Sequence, residues 1–208
     1  MSALAITLAD GIETLGLGLS SEQVKRLEAY LDLLEKWNRV YNLTAIRDRV
    51  QMVTHHVLDS LAVVPHVHGP RVLDVGSGGG LPGIPVAIAR AELDVTLLDA
   101  NHKKTAFLNQ AVAELRLRNV RVAAERVESW DTAHRFDTIV SRAFSDLGEF
   151  AAVAGRLLAD GGRLAAMKGV HPFEEIERLP QAYVVREVIR LQVPGLDAER
   201  HLVMMGRR

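Results

Sequence analysis

The chain has 208 residues, 48% of them hydrophobic and 25% charged, which is ordinary for a soluble globular protein. This length suits one α/β domain with a modest appendage. The sequence contains no cysteine, which excludes disulfides, cysteine-ligated zinc, iron–sulfur clusters and cysteine nucleophiles. Its 25 basic and 26 acidic residues leave a formal net charge of -1. A general basic surface for nucleic acid is therefore absent, and a polyanionic partner would need positive charge gathered in one place.

The sequence carries no signal for secretion or for membrane insertion. No apolar run approaches the length of a bilayer-spanning helix. The first twenty residues contain Asp10 and Glu13 and lack a basic start. We therefore expect a cytoplasmic protein that does not contact a membrane.

Two amphipathic helices are predicted before residue 66. The first begins at Ser20, which with Gln23 has the spacing of a capping box, and the second begins after Asp48 and stops at Pro65. Both carry an apolar stripe with a spacing of three or four residues: Val24, Leu27, Leu31, Leu34 and Trp37 in the first, and Val50, Val53, Val57, Leu61 and Val64 in the second. We interpret residues 1–65 as an N-terminal helical extension, with a loop at residues 41–46.

From residue 71 onward, short apolar runs alternate with helical patterns. Strands are predicted at Arg71–Val75, Val95–Asp99, Val120–Ala124, Thr138–Ser141 and Arg163–Met167, and helices after Pro82, at about Lys104–Leu117 and at about Asp146–Ala159. This alternation favours a parallel sheet with helices on both faces. Two further runs, Val184–Val193 and His201–Met205, have no helix between them and predict an antiparallel edge joined through Pro194-Gly195. Such a sheet is characteristic of the Rossmann-like class I S-adenosylmethionine-dependent methyltransferase fold, which we predict for residues 66–208.

The predicted cofactor site is the glycine-rich turn between the first strand and the next helix. Its residues are Gly76, Ser77, Gly78, Gly80 and Leu81, and glycines let a backbone approach a ligand closely. The glycine spacing also fits a dinucleotide site, which alone is a weak signal. Asp74 precedes the first glycine, where a carboxylate can bind the positively charged end of a methionine moiety and would repel a pyrophosphate. Asp99, at the end of the next strand, has about the spacing of a ribose-hydroxyl ligand. We therefore predict S-adenosylmethionine as the cofactor.

Other candidate positions follow later strands. Val127 and Glu128 lie where a loop that contacts adenine is expected, although a solvated loop is an equal alternative. Arg142 lies at the carboxyl end of a strand, where ligands bind in open α/β sheets, and its alternative is a surface ion pair. His55 and Asp59 are one helical turn apart, but no third ligand is evident, so we predict no metal site.

Several uncommon motifs occur together along the chain. They are Lys36-Trp37-Asn38, Tyr41-Asn42-Leu43-Thr44, His56-Val57-Leu58-Asp59-Ser60, Leu81-Pro82-Gly83-Ile84-Pro85, Ser141-Arg142-Ala143-Phe144, Lys168-Gly169, Leu191-Gln192-Val193-Pro194 and Glu199-Arg200-His201-Leu202. With them the chain resembles, over nearly its whole length, the bacterial ribosomal RNA small subunit methyltransferase G family, also called glucose-inhibited division protein B. The resemblance implies methylation of N7 of a guanosine in the 530 loop of 16S rRNA. It also implies cofactor positions at Gly76, Leu81, Val127, Glu128 and Arg142. The chain departs from the family in stopping soon after the last strand and in Gly79, where relatives often carry proline or alanine.

The residues at the fourth strand agree with that reaction. Methylation of an exocyclic adenine amine usually uses an Asn/Asp-Pro-Pro-aromatic loop where this chain has Ser141-Arg142-Ala143-Phe144, and carbon-5 methylation of pyrimidines needs a cysteine. Guanine N7 carries a lone pair and no proton, so we expect no general base and only alignment of N7 with the reactive methyl. Phe144 either stacks on a base or belongs to the core.

The expected partner is 16S rRNA or the small ribosomal subunit, and we expect a monomer. The candidate substrate-positioning residues are Arg142, Lys168, Arg200, His56 and Asn42. Three alternatives stay open at this point. The first is a class I methyltransferase that acts on a small molecule or a protein, which the net charge favours. The second is an NAD-dependent oxidoreductase, supported only by the glycine spacing. The third is a non-catalytic RNA-binding module that has kept the fold.

Overall fold

The computed structural model describes residues 6–208, and a seven-stranded sheet forms its centre. The strands are β1 (Arg71–Val75), β2 (Asp94–Leu98), β3 (Val120–Ala123), β4 (Phe136–Ser141), β5 (Leu158–Lys168), β6 (Tyr183–Arg190) and β7 (His201–Arg207). Their order is β3-β2-β1-β4-β5-β7-β6. Strands β1 to β5 are parallel, whereas β7 is antiparallel to both β5 and β6. The predicted antiparallel edge is confirmed, and its last strand lies inside the edge, between β5 and β6.

Helices precede the sheet and connect its strands. They are α1 (Leu8–Thr14), α2 (Ser21–Tyr41), α3 (Arg49–Met52), α4 (Asp59–Leu61), α5 (Gly83–Ala89), α6 (His102–Glu114), α7 (Leu147–Ala154) and α8 (Phe173–Glu177). The sequence analysis missed the short helices α1 and α8. Within residues 6–208, no helix combines the length and the apolar character needed to cross a membrane.

Helix α2 begins where the sequence predicts. Ser20 and Gln23 form the reciprocal hydrogen bonds of a capping box. The inner face of α2, which includes Leu27 and Leu34, belongs to the same apolar cluster as Val72 of β1 and Phe107 of α6. The N-terminal helices and the sheet therefore share one core, and a domain boundary at residue 65 stays a prediction.

The second predicted helix is not one regular α-helix. Asp48 caps its start as predicted, by accepting a hydrogen bond from the N–H of Gln51. A π-helical segment, Val53–Leu58, then separates α3 from α4. Of the predicted stripe, Val57, Leu61 and Val64 are buried and Val53 packs against the core, whereas Val50 is 47% exposed. Because a π turn shifts the phase of a helix, His56 and Asp59 are buried as well.

The predicted boundary between α7 and β5 is wrong. The helix ends at Ala154, a 3-10 turn covers Gly155–Leu157, and β5 already begins at Leu158 instead of Arg163. The pairing of β4 with β5 shifts in register across this segment, and Gly161 there adopts a positive φ of 74°. The two adjacent glycines interrupt the apolar pattern, so the start of the strand has no periodic signal.

Candidate active site

The glycine turn is tied to the sheet on both sides. The N–H groups of Gly76 and Ser77 both donate to the carbonyl of Leu98, at 2.8 and 3.1 Å. Gly76 has a φ of 70°, and a Cβ added there would lie 2.6 Å from the Cβ of Ala143. Only glycine allows the turn to pass this close to the loop after β4.

Asp74 lies fully buried beneath this turn. Its Oδ2 accepts a hydrogen bond from the N–H of Gly83 at 2.9 Å, where α5 begins. A Cβ on Gly83 would lie 2.7 Å from that oxygen, so glycine is required there as well. Among the described residues Oδ1 of Asp74 has no hydrogen-bond partner. Burial raises the pKa of Asp74 to about 7, although the Gly83 N–H and Ser77 oppose the shift. Asp74 thus supports the turn from below, keeps one unpartnered acceptor and lines neither cavity at the turn.

Asp99 follows β2 and organises two loops. Its Oδ2 accepts from the N–H of Gly78 at 2.9 Å and its Oδ1 from the N–H of Asn101 at 2.8 Å. Lys104 places its ammonium 3.9 Å from the same carboxylate. Each carboxylate oxygen has two acceptor sites, so the group can still accept hydrogen bonds from a vicinal diol.

Two cavities adjoin the glycine turn at the carboxyl edge of the sheet. The first, about 200 Å³, is lined by Val75, Gly76, Leu98, Asp99, Ala100, Glu125, Arg126, Val127, Glu128, Ala143 and Phe144. The second, about 260 Å³, is lined by Leu43, Thr44, Gly76, Ser77, Gly78, Gly79, Leu81, Arg142 and Ala143. Because they share Gly76 and Ala143, they form one groove across the turn. The groove offers carboxylates and an apolar wall in the first cavity and backbone groups in the second, so its residues fit S-adenosylmethionine.

Phe144 belongs to the wall of the first cavity. Its ring stacks on Phe150 with the ring centroids 5.1 Å apart and packs against the buried cluster around α7. Of the two roles considered for Phe144, the structure supports the one in the core.

A third cavity, of about 330 Å³, continues the groove beyond Arg142. It is lined by Ile46, His55, His56, Asp59, Arg142, Met167, Lys168, Gly169 and Arg200. Arg142 lines both the second and the third cavity. The structure thus brings together four of the five predicted substrate-positioning residues: His56, Arg142, Lys168 and Arg200.

Asp59 connects two of these side chains. Its Oδ2 lies 3.1 Å from Nη1 of Arg142 and its Oδ1 lies 3.0 Å from Nε of Arg200. The same Nη1 donates to the carbonyl of His55 at 3.1 Å. Burial raises the pKa of Asp59, and the two guanidinium groups oppose that shift. The sequence analysis considered Asp59 only as a metal ligand. Among the described residues no group of three or more His, Cys, Asp or Glu side chains could hold a metal ion.

His56 is buried and lies in the third cavity. Its Nε2 shares a hydrogen bond of 2.8 Å with the hydroxyl of Thr44, and its Nδ1 has no partner among the described residues. Burial, together with the charge of Arg142, lowers the pKa of His56 to about 4. The imidazole is therefore neutral at physiological pH.

Lys168 does not present a free ammonium group. Its Nζ donates to the carbonyl of Ser145 at 2.8 Å and to that of Phe144 at 3.3 Å. The same nitrogen forms an ion pair of 2.7 Å with Oε2 of Glu175, and the side chain is only 10% exposed. Its three donors are thus used within the chain. Lys168 connects β5 to α8 and to the loop beside the first cavity.

Asn42 lies outside the residues that line the three cavities. It is exposed, has a φ of 49° and ends α2, and its side chain accepts from Arg47 at 2.8 Å. The buried Asn38, one turn earlier, holds the following loop by accepting from the N–H of Thr44 and donating to the carbonyl of Ile46. The sequence analysis missed this role of Asn38. The sequence did carry a signal for Asn38, which is a polar residue on the apolar face of a predicted helix.

The fold is similar to that of solved methyltransferases. The glycopeptide N-methyltransferase MtfA complexed with S-adenosyl-L-homocysteine matches with a TM-score of 0.63 at 12% identity, covering 74% of this chain and 87% of that one. Precorrin-6y C5,15-methyltransferase from Geobacter metallireducens GS-15 matches with a TM-score of 0.54 at 17% identity, covering 81% and 92%. With its sheet order and glycine turn, this chain has the class I S-adenosylmethionine-dependent methyltransferase fold.

Sequence comparison narrows the class to one family. The family model described as rRNA small subunit methyltransferase G matches residues 23–203. The chain belongs to this family. It is 60% identical over 201 residues to the ribosomal RNA small subunit methyltransferase G of Laribacter hongkongensis, covering 97% of each chain. It is 58% identical over 199 residues to that of Chromobacterium violaceum, covering 95% of each. The resemblance stated from the motifs is confirmed.

Proposed function

We propose that this chain transfers a methyl group from S-adenosylmethionine to N7 of a guanosine in the 530 loop of 16S rRNA. Membership of the rRNA small subunit methyltransferase G family supports an rRNA substrate. The observation that carries the proposal is the continuous groove, in which Arg142 separates the cavity at the glycine turn from the third cavity. A cofactor and a target base could meet at that side chain.

The cofactor would occupy the first two cavities. Asp99 would accept from the ribose hydroxyls, Val127 and Glu128 would border the adenine, and Gly76, Ser77, Gly78, Gly80 and Leu81 would form or support the floor under the methionine part. Asp74 would act through the turn, by holding the N–H of Gly83 beneath the methionine part. When bound, S-adenosylmethionine supplies an electrophilic methyl group on a positively charged sulfur.

The target guanine would enter the third cavity. Its N7 has a lone pair and no proton, so the chain needs only to orient the ring at attack distance. The neutral His56 and the unpartnered Nδ1 agree with a site that binds and orients instead of removing a proton. Arg142 and Arg200 would donate to the O6 edge or to the flanking phosphates. Methyl transfer moves one positive charge from sulfur to the base, and a carboxylate such as Asp59 moderates the positive field around it.

Positive charge is gathered at the third cavity although the net charge of the chain is -1. Arg142 and Arg200 line this cavity and share one carboxylate, that of Asp59, whereas Lys168 is neutralised by Glu175. Directly after Gly169, Val170 and Phe173 are 73% and 69% exposed. Exposed aromatic rings bind unpaired RNA bases by stacking. This rim would therefore hold nucleotides beside the target.

We also propose that the enzyme is monomeric, and an rRNA substrate supports a location in the cytoplasm. The experiment is methyl transfer from radiolabelled S-adenosylmethionine to 16S rRNA that lacks this methyl group, as naked RNA and as assembled small subunits, with 23S rRNA as the control. Label in 16S rRNA alone is expected. Label in a protein or a small molecule, with none in either form of the 16S substrate, would overturn the proposal.

A further inference from the structure

A buried carboxylate bridges two arginines at the junction of the second and third cavities. Asp59 has a side chain that is only 4% exposed, and each of its oxygens contacts a different guanidinium group, at 3.1 Å from Arg142 and 3.0 Å from Arg200. These residues lie far apart in sequence, on α4, after β4 and before β7. Among residues 6–208, Asp59 is therefore the one side chain that contacts both cations and fixes them relative to each other.

The bridge also fixes the direction of each guanidinium. Arg142 donates through the single atom Nη1 to both Asp59 and the carbonyl of His55. Arg200 uses Nε toward Asp59 and Nη1 toward the carbonyl of Glu199. Each guanidinium carries five N–H bonds in a planar fork, so each has further donors without a partner among the described residues, and both side chains line the third cavity. A planar ligand with acceptor atoms on its edge is what such an arrangement recognises.

The bridge has an electrostatic consequence as well. Two guanidinium groups without Asp59 would carry a charge of +2 in the third cavity, next to the second, and the carboxylate reduces that to +1. A cationic ligand group in the second cavity is repelled less as a result, because like charges in a partly buried site interact strongly. The two arginines can bind an anionic or carbonyl-bearing substrate without excluding a cationic cofactor.

We propose that Asp59 is a positioning residue for methyl transfer, which orients Arg142 and Arg200 around the target base and moderates their charge. This inference rests on the proposed function. A positioning role predicts a specific kinetic effect. Loss of Asp59 should lower the rate of methyl transfer in the bound complex. It should not weaken RNA binding, because removing a negative charge does not reduce the attraction for RNA.

The test is steady-state methylation of 16S rRNA by Asp59→Asn, which keeps the shape of the side chain and removes its charge. We expect kcat to fall about ten- to hundred-fold, as for a reacting group misplaced by about 1 Å. The KM for RNA should stay equal or decrease, and melting should stay cooperative. The matched control is Asp137→Asn, since Asp137 pairs with Arg71 at the opposite edge of the sheet. That variant should methylate at the wild-type rate.

A second variant, at Arg200, tests the inference even if Asp59→Asn does not fold. Arg200→Lys keeps the positive charge but loses the Nε contact, and it should lower kcat with little change in RNA affinity. In the double variant the two losses should not add, because both remove the same contact. A wild-type kcat in Asp59→Asn or in Arg200→Lys would overturn the inference, and so would fully additive losses. If the wild-type protein itself did not methylate RNA, the proposed function and this inference would both fall.

Discussion

The ammonium of Lys168 lies 2.7 Å from the carboxylate of Glu175, and this ion pair fastens the end of β5 to α8. The carboxylate also accepts from the N–H of Leu147 at the start of α7. The contact thus joins three elements beside the third cavity. Lys168 is therefore expected to stabilise the fold beside the cofactor site.

Lys168→Ala should lower stability by about 1–3 kcal/mol, because the charged ammonium loses its hydrogen bonds to partly buried acceptors. It should also weaken cofactor binding, since the carbonyls of Phe144 and Ser145 lose their anchor next to the first cavity. The sequence alone made Lys168 a candidate substrate-positioning residue, for which a loss of RNA affinity would be expected instead. Thermal melting and titration calorimetry with S-adenosylmethionine measure both. The control is Arg178→Ala, which removes a solvent-exposed ion pair to Glu174 on the same helix and should change little. An unchanged melting temperature for Lys168→Ala would show that the pair does not hold these elements.

Asp99→Ala should weaken S-adenosylmethionine binding by about 1.5–3 kcal/mol, the usual contribution of hydrogen bonds to a charged group. The carboxylate also holds the N–H groups of Gly78 and Asn101, so a modest fall in stability is expected too. Asp99→Asn keeps one acceptor and should lie between the wild type and Asp99→Ala. Calorimetry gives the affinity, and Asp94→Asn at the other end of β2 is the control. Full cofactor affinity in Asp99→Ala would remove this residue from the ribose site.

His56 should make stability depend on pH in the acidic range. Its pKa is lowered to about 4 in the folded chain from the ordinary value of 6.5, so the unfolded chain binds the proton first as the pH falls. The stabilisation from burying the neutral ring is complete above about pH 6.5 and is lost as the pH drops toward 4. His56→Gln should therefore be less sensitive to pH over this window than the wild type. Urea unfolding at several pH values measures the slope, with His134→Gln on an exposed side chain as the control. Parallel curves for His56→Gln and the wild type would contradict the assignment.

Phe173→Ala should reduce RNA affinity by about 1–3 kcal/mol, the range measured for a base stacked on an aromatic ring. Because no charge is removed, the dependence of binding on salt should stay the same. Phe173→Tyr keeps the ring and should bind RNA normally, and all variants should bind S-adenosylmethionine equally. Filter binding or fluorescence anisotropy at two salt concentrations tests this. Equal RNA affinity of the alanine and tyrosine variants would show that the exposed ring does not contact RNA.

The parts of the fold that the sequence predicted correctly depend on local patterns. Apolar runs located the strands, the Ser20–Gln23 spacing located the start of α2, and the lack of a helix between the last two runs predicted the antiparallel edge. The π-helical segment was missed because it changes the phase of an otherwise normal apolar stripe. The start of β5 was missed because Gly161 and Gly162 carry no apolar signal.

The candidate site was predictable only in part, for a physical reason. Asp99 and the glycine turn follow directly from their positions at strand ends. The contacts of Asp59 with Arg142 and Arg200 span 83 and 141 positions in sequence, and no local spacing encodes them. The contacts that hold Lys168 are likewise not encoded by local spacing, so the sequence did not show that its ammonium is bound within the chain. Asn42 was selected as a polar residue near the site, whereas the buried Asn38 shapes the loop.

The most direct test of the account is to identify the methylated atom in RNA treated with the purified protein. The modified 16S rRNA is digested, the labelled fragment is sequenced, and its nucleoside is compared with methylguanosine standards by mass spectrometry. The account predicts a single N7-methylguanosine in the 530 loop, which also makes the strand cleavable by reduction followed by aniline. A methyl group on an exocyclic amine, on a carbon atom or on a ribose hydroxyl would contradict it.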